Sequence, residues 1–162
     1  MSPADGGIAL GLIALGNIVG TYLCGLLGGL WPQKYVLSGL YLIRAALMLL
    51  FVALPPTMTT IYILSLAMGL VWLGTVPLTI SLVTRLFGVR HIGTLFGVVF
   101  FGHQVGSFFG VWLGGYAFDV SQSYDLVWAI AIGLGLFAAI VHLPIDDRKA
   151  PATTPTHEGI AS

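Results

Sequence analysis

Five long apolar stretches divide this chain, at about residues 7–30, 35–54, 61–84, 92–116 and 126–145. Of its twelve charged residues, six basic and six acidic, only Arg44 lies inside one of them. Each stretch is about 20 residues or longer, and at about 1.5 Å rise per residue each can cross a hydrocarbon core of about 30 Å. The pattern predicts an all-α integral membrane protein with five transmembrane helices. It also singles out one charge that needs an explanation.

Composition agrees with that reading. Charged residues make up 7% of the chain and hydrophobic residues 57%, whereas a soluble domain carries about 25% charged residues. The runs are too long and too uniformly apolar for barrel strands, which need about 10 alternating residues. Net charge is zero and there is no basic run, so nucleic acid is not an expected partner. One cysteine, Cys24, excludes an internal disulfide. No His-Glu-x-x-His, Walker or cysteine-cluster pattern occurs, so no cofactor, metal or enzymatic activity is expected. Asp5 is the only charge ahead of the first stretch, which therefore reads as a retained span and not as a secretory signal.

The basic residues alternate by side. Lys34 lies in the first connection, Arg85 and Arg90 in the third, and Arg148 with Lys149 after the last span. The N-terminus and the second and fourth connections hold only Asp5, Asp119 and Asp125. By the positive-inside rule the N-terminus is outside and the C-terminus cytoplasmic, as in a multi-pass protein of a bacterial-type inner (plasma) membrane. The connections Trp31-Pro32-Gln33-Lys34 and Pro55-Pro56-Thr57-Met58 are short, so sequential helices are expected to pack as antiparallel neighbours. From Asp146 to Ser162 the chain is Pro/Thr-rich without periodicity and reads as a disordered cytoplasmic tail.

Two small-residue stripes stand out. Gly16, Gly20, Cys24 and Gly28 recur every fourth residue in the first span, and Gly102, Gly106, Gly110 and Gly114 do so in the fourth. Such stripes let helix backbones approach closely in lipid, either for static packing or for sliding contact. Polar groups also gather near the span midpoints: Asn17, Arg44, Pro77 and the pair His103/Gln104. A shared midplane layer is where transporters place binding sites, although interhelical hydrogen bonds alone account for many such residues. Arg44 lies about 14 Å from its nearer helix end by rise alone, and no Asp or Glu lies inside any span. Its partner is a helix outside this chain, an anionic solute, or backbone carbonyls.

Pro77 removes a backbone donor, frees the Leu73 carbonyl and should kink the third span beside Gly74. Met68, Trp72, Thr75 and Thr79 share one helical face there, suited to an aqueous path or, with hydroxyls bonded to the preceding turn, to plain packing. His103 could relay protons. Ser107 follows it by one turn, but Val105 and Phe109 occupy the glycine positions of a nucleophile elbow.

The stretch Gly25-Leu-Leu-Gly-Gly-Leu-Trp-Pro-Gln-Lys-Tyr-Val-Leu37 resembles the major facilitator superfamily loop G-x-L-a-D-r-x-G-R-K-x-x-L. Gly25, Leu27, Lys34 and Leu37 match, whereas Gly29 replaces the acid, Leu30 and Gln33 the arginines, and Pro32 a glycine. Gly114-Gly-Tyr-Ala-Phe-Asp119 with Ser121-Gln-Ser-Tyr124 resembles the G-G-x-x-x-D-x-T-G-S-Y segment after the eleventh span of monocarboxylate-porter-like members.

The resemblance implies that the spans correspond to spans eight through twelve of a twelve-span transporter, a C-terminal fragment lacking its N-terminal half. It implies alternating-access transport of a small organic solute, a carboxylate being one candidate class. The tenth span of the family lines the central cavity, which favours the Trp72/Thr75/Thr79 face as solute path. The ninth is a supporting span, which weakens the claim of Arg44 to contact solute. The missing loop acid places the usual gating contact of Gly25, Leu27 and Lys34 in question. The expected partners are the lipid bilayer, a small-molecule solute, and the missing half or another membrane chain. The rival expectation is a small, non-transporting assembly protein packed through its glycine stripes.

Overall fold

The computed structural model describes residues 2–146. It consists of helices α1 (Pro3–Leu30), α2 (Gln33–Ala53), α3 (Met58–Trp72), α4 (Thr75–Phe87), α5 (Ile92–Ser121) and α6 (Asp125–His142), with a 3-10 turn at Val89–His91. Among the described residues there is no strand, and five helical segments are long and apolar enough to cross a membrane. The third of these, Met58–Phe87, comprises α3 and α4. The all-α membrane fold expected from the hydropathy pattern is the observed one. The tail falls outside the described residues apart from Asp146.

Local chemistry sets the helix ends. Ser2 and Asp5 form a capping box, which starts α1 at Pro3, four residues before the apolar stretch. Thr57 caps α3 by accepting the Thr60 N–H. Proline closes two helices from behind, because the residue before it is driven out of the helical region. Trp31 before Pro32 and Leu54 before Pro55 are both extended. The first connection is accordingly only Trp31-Pro32, and Gln33 and Lys34 belong to α2. At the end of α5, Gln122 adopts a left-handed φ of 52°. It stands where the motif after the eleventh span carries glycine, the residue that tolerates this conformation best.

Sequential packing is not what assembles the bundle. The principal partner of α1 is the third span, and that of α2 is α6. The first-span stripe explains the former pairing. A Cβ on Gly16 would come within 2.6 Å of the Leu66 carbonyl, one on Gly20 would overlap the Leu70 carbonyl, and one on Gly28 would meet Leu78. The contacts climb both helices together, so α1 and the third span lie parallel, backbone against backbone. Helices α2 and α6 run antiparallel. Ser38 Oγ donates to the Ala139 carbonyl at 2.7 Å, Ala45 packs on Gly135, and Phe51 stacks on Trp128.

Helix α5 differs from the others. Ala117 is its one buried residue, and a Cβ at Gly102, Gly106, Gly110 or Gly114 would meet nothing within 4 Å. The packing expected of the fourth-span stripe is therefore absent among the described residues. The stripe with partners and the stripe without have the same spacing, so spacing alone does not decide which stripe is covered.

Candidate functional site

The break in the third span organises the site. Pro77 has no N–H for the Leu73 carbonyl, and the helix parts at Leu73–Gly74, where the kink was expected. The Val76 N–H turns to the Leu73 carbonyl at 3.1 Å. In a continuous α-helix that N–H would serve Trp72. Arg44 takes over: its Nη2 donates to the carbonyls of Val71 at 2.7 Å and Trp72 at 2.8 Å. The guanidinium also lies over the rings of Tyr41 and Trp72, each 5.3 Å from its carbon. Backbone carbonyls and aromatic faces are thus the contacts that hold the intramembrane charge. Its Nε is buried without a hydrogen-bond partner among the described residues.

Two cavities flank this clasp. One, of about 490 Å³, is lined by Tyr41, Arg44 and Met48 of α2, Trp72 of α3, His103 and Ser107 of α5, and the Ala131–Ala138 face of α6. The other, of about 400 Å³, is lined by Tyr41, by Leu73, Thr75 and Thr79 at the break, and by Phe96, Phe100 and His103. Tyr41 and His103 border both. The cleft is aromatic-walled with one cation, one imidazole and a few hydroxyls, a lining suited to orienting a small amphipathic solute. The hydroxyls are partly committed, since Thr79 Oγ1 donates to the Thr75 carbonyl at 2.7 Å and Ser107 Oγ to the His103 carbonyl at 2.9 Å.

The structure separates some residues that the sequence had grouped. Met68 packs in the core with Leu37, Leu40 and Leu78, and the break puts Trp72 in one cavity and Thr75 with Thr79 in the other. Asn17 borders a third, open cavity of about 630 Å³ with Thr21, Tyr22 and Leu73. Its Oδ1 is buried without a partner among the described residues. Gln104 is exposed on α5 and borders none of these three cavities.

At the gating-loop-like segment, Gly25 and Leu27 are exposed and Lys34 lies over the Tyr35 ring at 5.3 Å. The residue that organises this end is Gln33, which the motif comparison counted as a lost arginine. It is fully buried, and its Nε2 donates to Ser81 Oγ at 2.6 Å and the Gly28 carbonyl at 3.2 Å. Arg85 Nη2 reaches the same carbonyl at 3.4 Å. The sequence carried no local signal for this role, since Ser81 lies 48 positions away.

Membrane-length helices around an aromatic-walled cleft that holds one cation, beside a broken helix, form an arrangement of the kind membrane transporters use. The family model of the Major Facilitator Superfamily matches residues 1–162. The chain belongs to that superfamily. It is 31% identical over 147 residues to the uncharacterised MFS-type transporter YcxA of Bacillus subtilis (strain 168), a match covering 87% of this chain and 35% of the relative. The chain thus spans about a third of the length of the curated relative that it matches. No solved structure matches it.

Proposed function

We propose that this chain forms the later spans of a secondary transporter for a small organic solute, a carboxylate of monocarboxylate type, with the Arg44 cleft on the solute path. The carrying observation is Arg44 itself. It is an intramembrane cation bordering a cavity, with carbonyls and rings for partners and its Nε without any among the described residues. A cation at membrane depth is costly, carbonyls satisfy only part of it here, and an anion in the adjoining cavity would complete its pairing. Membership of the transporter superfamily favours this reading over a non-transporting assembly protein.

Trp72, Thr75, Thr79 and His103 line the path around the cation, and Asn17 faces a separate cavity on the α1 side. Lys34 and Arg85 lie at the ends of α2 and α4, which Gln33, Ser81 and Gly28 tie together. That grouping supports a cytoplasmic placement of this end, with the N-terminus outside. Alternating access needs two halves moving about the site, so the chain acts together with an N-terminal half or an equivalent membrane chain.

In a complete transporter, Arg44→Gln abolishes carboxylate uptake while leaving the protein in the membrane. Unchanged uptake would make Arg44 a structural residue.

A further inference from the structure

We infer that Arg44 is a latch on the break in the third span, and that a carboxylate in the cleft opens it by competing for the same nitrogen. Nη2 stands in for a helix donor: it serves the Trp72 carbonyl, which Val76 N–H has left for Leu73. The same atom serves Val71. A carboxylate competes for this donor as an ionised acceptor that the guanidinium fork can meet with two parallel hydrogen bonds, which a single carbonyl cannot offer. An anion in the cavity of about 490 Å³ that draws Nη2 away leaves both carbonyls short of a donor. Straightening the span reduces the deficit from two carbonyls to one: Val76 N–H returns to Trp72 and Thr75 N–H meets Val71, while the Leu73 carbonyl, which Pro77 cannot serve, is left open. The anion thus favours the straighter state by its differential contacts, and by reciprocity straightening favours the anion.

The hinge itself is built for such a change. Gly74 is buried at the break, and a Cβ there would overlap the Cys24 side chain of α1. Straightening moves this backbone relative to Cys24, which is buried and is the sole cysteine of the chain. Cys24 therefore reports the hinge without engineering. Arg44 acts here as a positioning residue for the helix as well as a contact for the solute. The release step rests on the reading of the cleft as a carboxylate site. The latch rests on the hydrogen bonds alone.

The test is the rate of Cys24 labelling by N-ethylmaleimide in the full chain in lipid nanodiscs, with benzoate as probe, benzyl alcohol as its neutral counterpart, and calorimetric binding in parallel. Wild type labels slowly, and benzoate but not benzyl alcohol accelerates it about fivefold or more, the usual scale of coupling between sites. Arg44→Gln labels fast with or without benzoate. Pro77→Ala restores the missing N–H and frees Arg44, so it labels fast without ligand and binds benzoate more tightly than wild type. A purely structural arginine would not give that gain in affinity.

If benzoate binds wild type with no change in labelling, the release step is wrong and the carboxylate site stands. Absence of binding both in the chain alone and with the second half present overturns the site and the release step together. The latch is overturned if both variants label as wild type does. Should Arg44→Gln lose its helicity by circular dichroism, Pro77→Ala decides alone: unchanged labelling and affinity refute the latch.

Discussion

Gln33 carries more of the structure than its place in a degraded motif suggests. It joins the α1–α2 corner to α4 through Gly28 and Ser81, fully shielded from solvent. Removing one partner of a buried hydrogen bond costs about 1–3 kcal/mol. Gln33→Leu should therefore lower the thermal midpoint of the detergent-solubilised chain, read by fluorescence-detected size exclusion, and Ser81→Ala should do so less. Gln122 offers the opposite case. Its left-handed φ of 52° is strained for a side-chain-bearing residue, although its Nε2 bonds back to the Phe118 carbonyl at 3.2 Å. Gln122→Gly should raise the midpoint by relieving about 1 kcal/mol; a lower midpoint would mean that the side-chain bond outweighs the strain. Neither feature was read from the sequence: the motif comparison aligned Gln122 with a glycine without a turn being drawn from it, and the buried amide was counted only as a lost arginine. Burial of Gln33 depends on Ser81, 48 positions away, and no local pattern encodes that pairing.

At the scale of elements, what could be read from sequence was governed by local covalent constraints. Pro77 placed the break, and the hydropathy runs gave the spans, because a missing N–H and a run of apolar side chains act wherever the chain goes. Helix pairing was less legible. Short connections pointed to sequential neighbours, but the Gly16/Gly20/Cys24/Gly28 face finds its match on the third span instead. The covered stripe and the open one make different predictions. Gly20→Ala drives a methyl into the Leu70 backbone and should destabilise the chain by about 1–3 kcal/mol, the usual cost of overpacking. Gly110→Ala enters open space and should hold or raise the midpoint, since Ala is favoured over Gly in a helix by about 0.5–1 kcal/mol. Equal losses for the two would contradict the difference in packing between α1 and α5.

At the scale of the whole molecule, the cleft and the open face of α5 belong to one account. The cleft carries the cation, the aromatic walls and the hinge, while the α5 glycines leave room for a Cβ, Gly106 and Gly110 bordering cavities shared with Ala131 and Leu134 of α6. Of the candidate site, Arg44, Trp72 and His103 were each named from sequence, and they border one cavity. What sequence could not give was the partner of Arg44. Among a helix outside this chain, an anion and backbone carbonyls, the carbonyls of a neighbouring broken helix are the contacts seen. The central proposal, transport by this chain together with a second half, rests on the need of alternating access for two moving halves. The most direct measurement is uptake of a radiolabelled monocarboxylate into proteoliposomes holding the chain alone or the chain with the remainder of its transporter. The account predicts saturable uptake only with both parts present, competed by unlabelled carboxylate and lost in Arg44→Gln. Saturable uptake by the chain alone, or none by the pair, would contradict it.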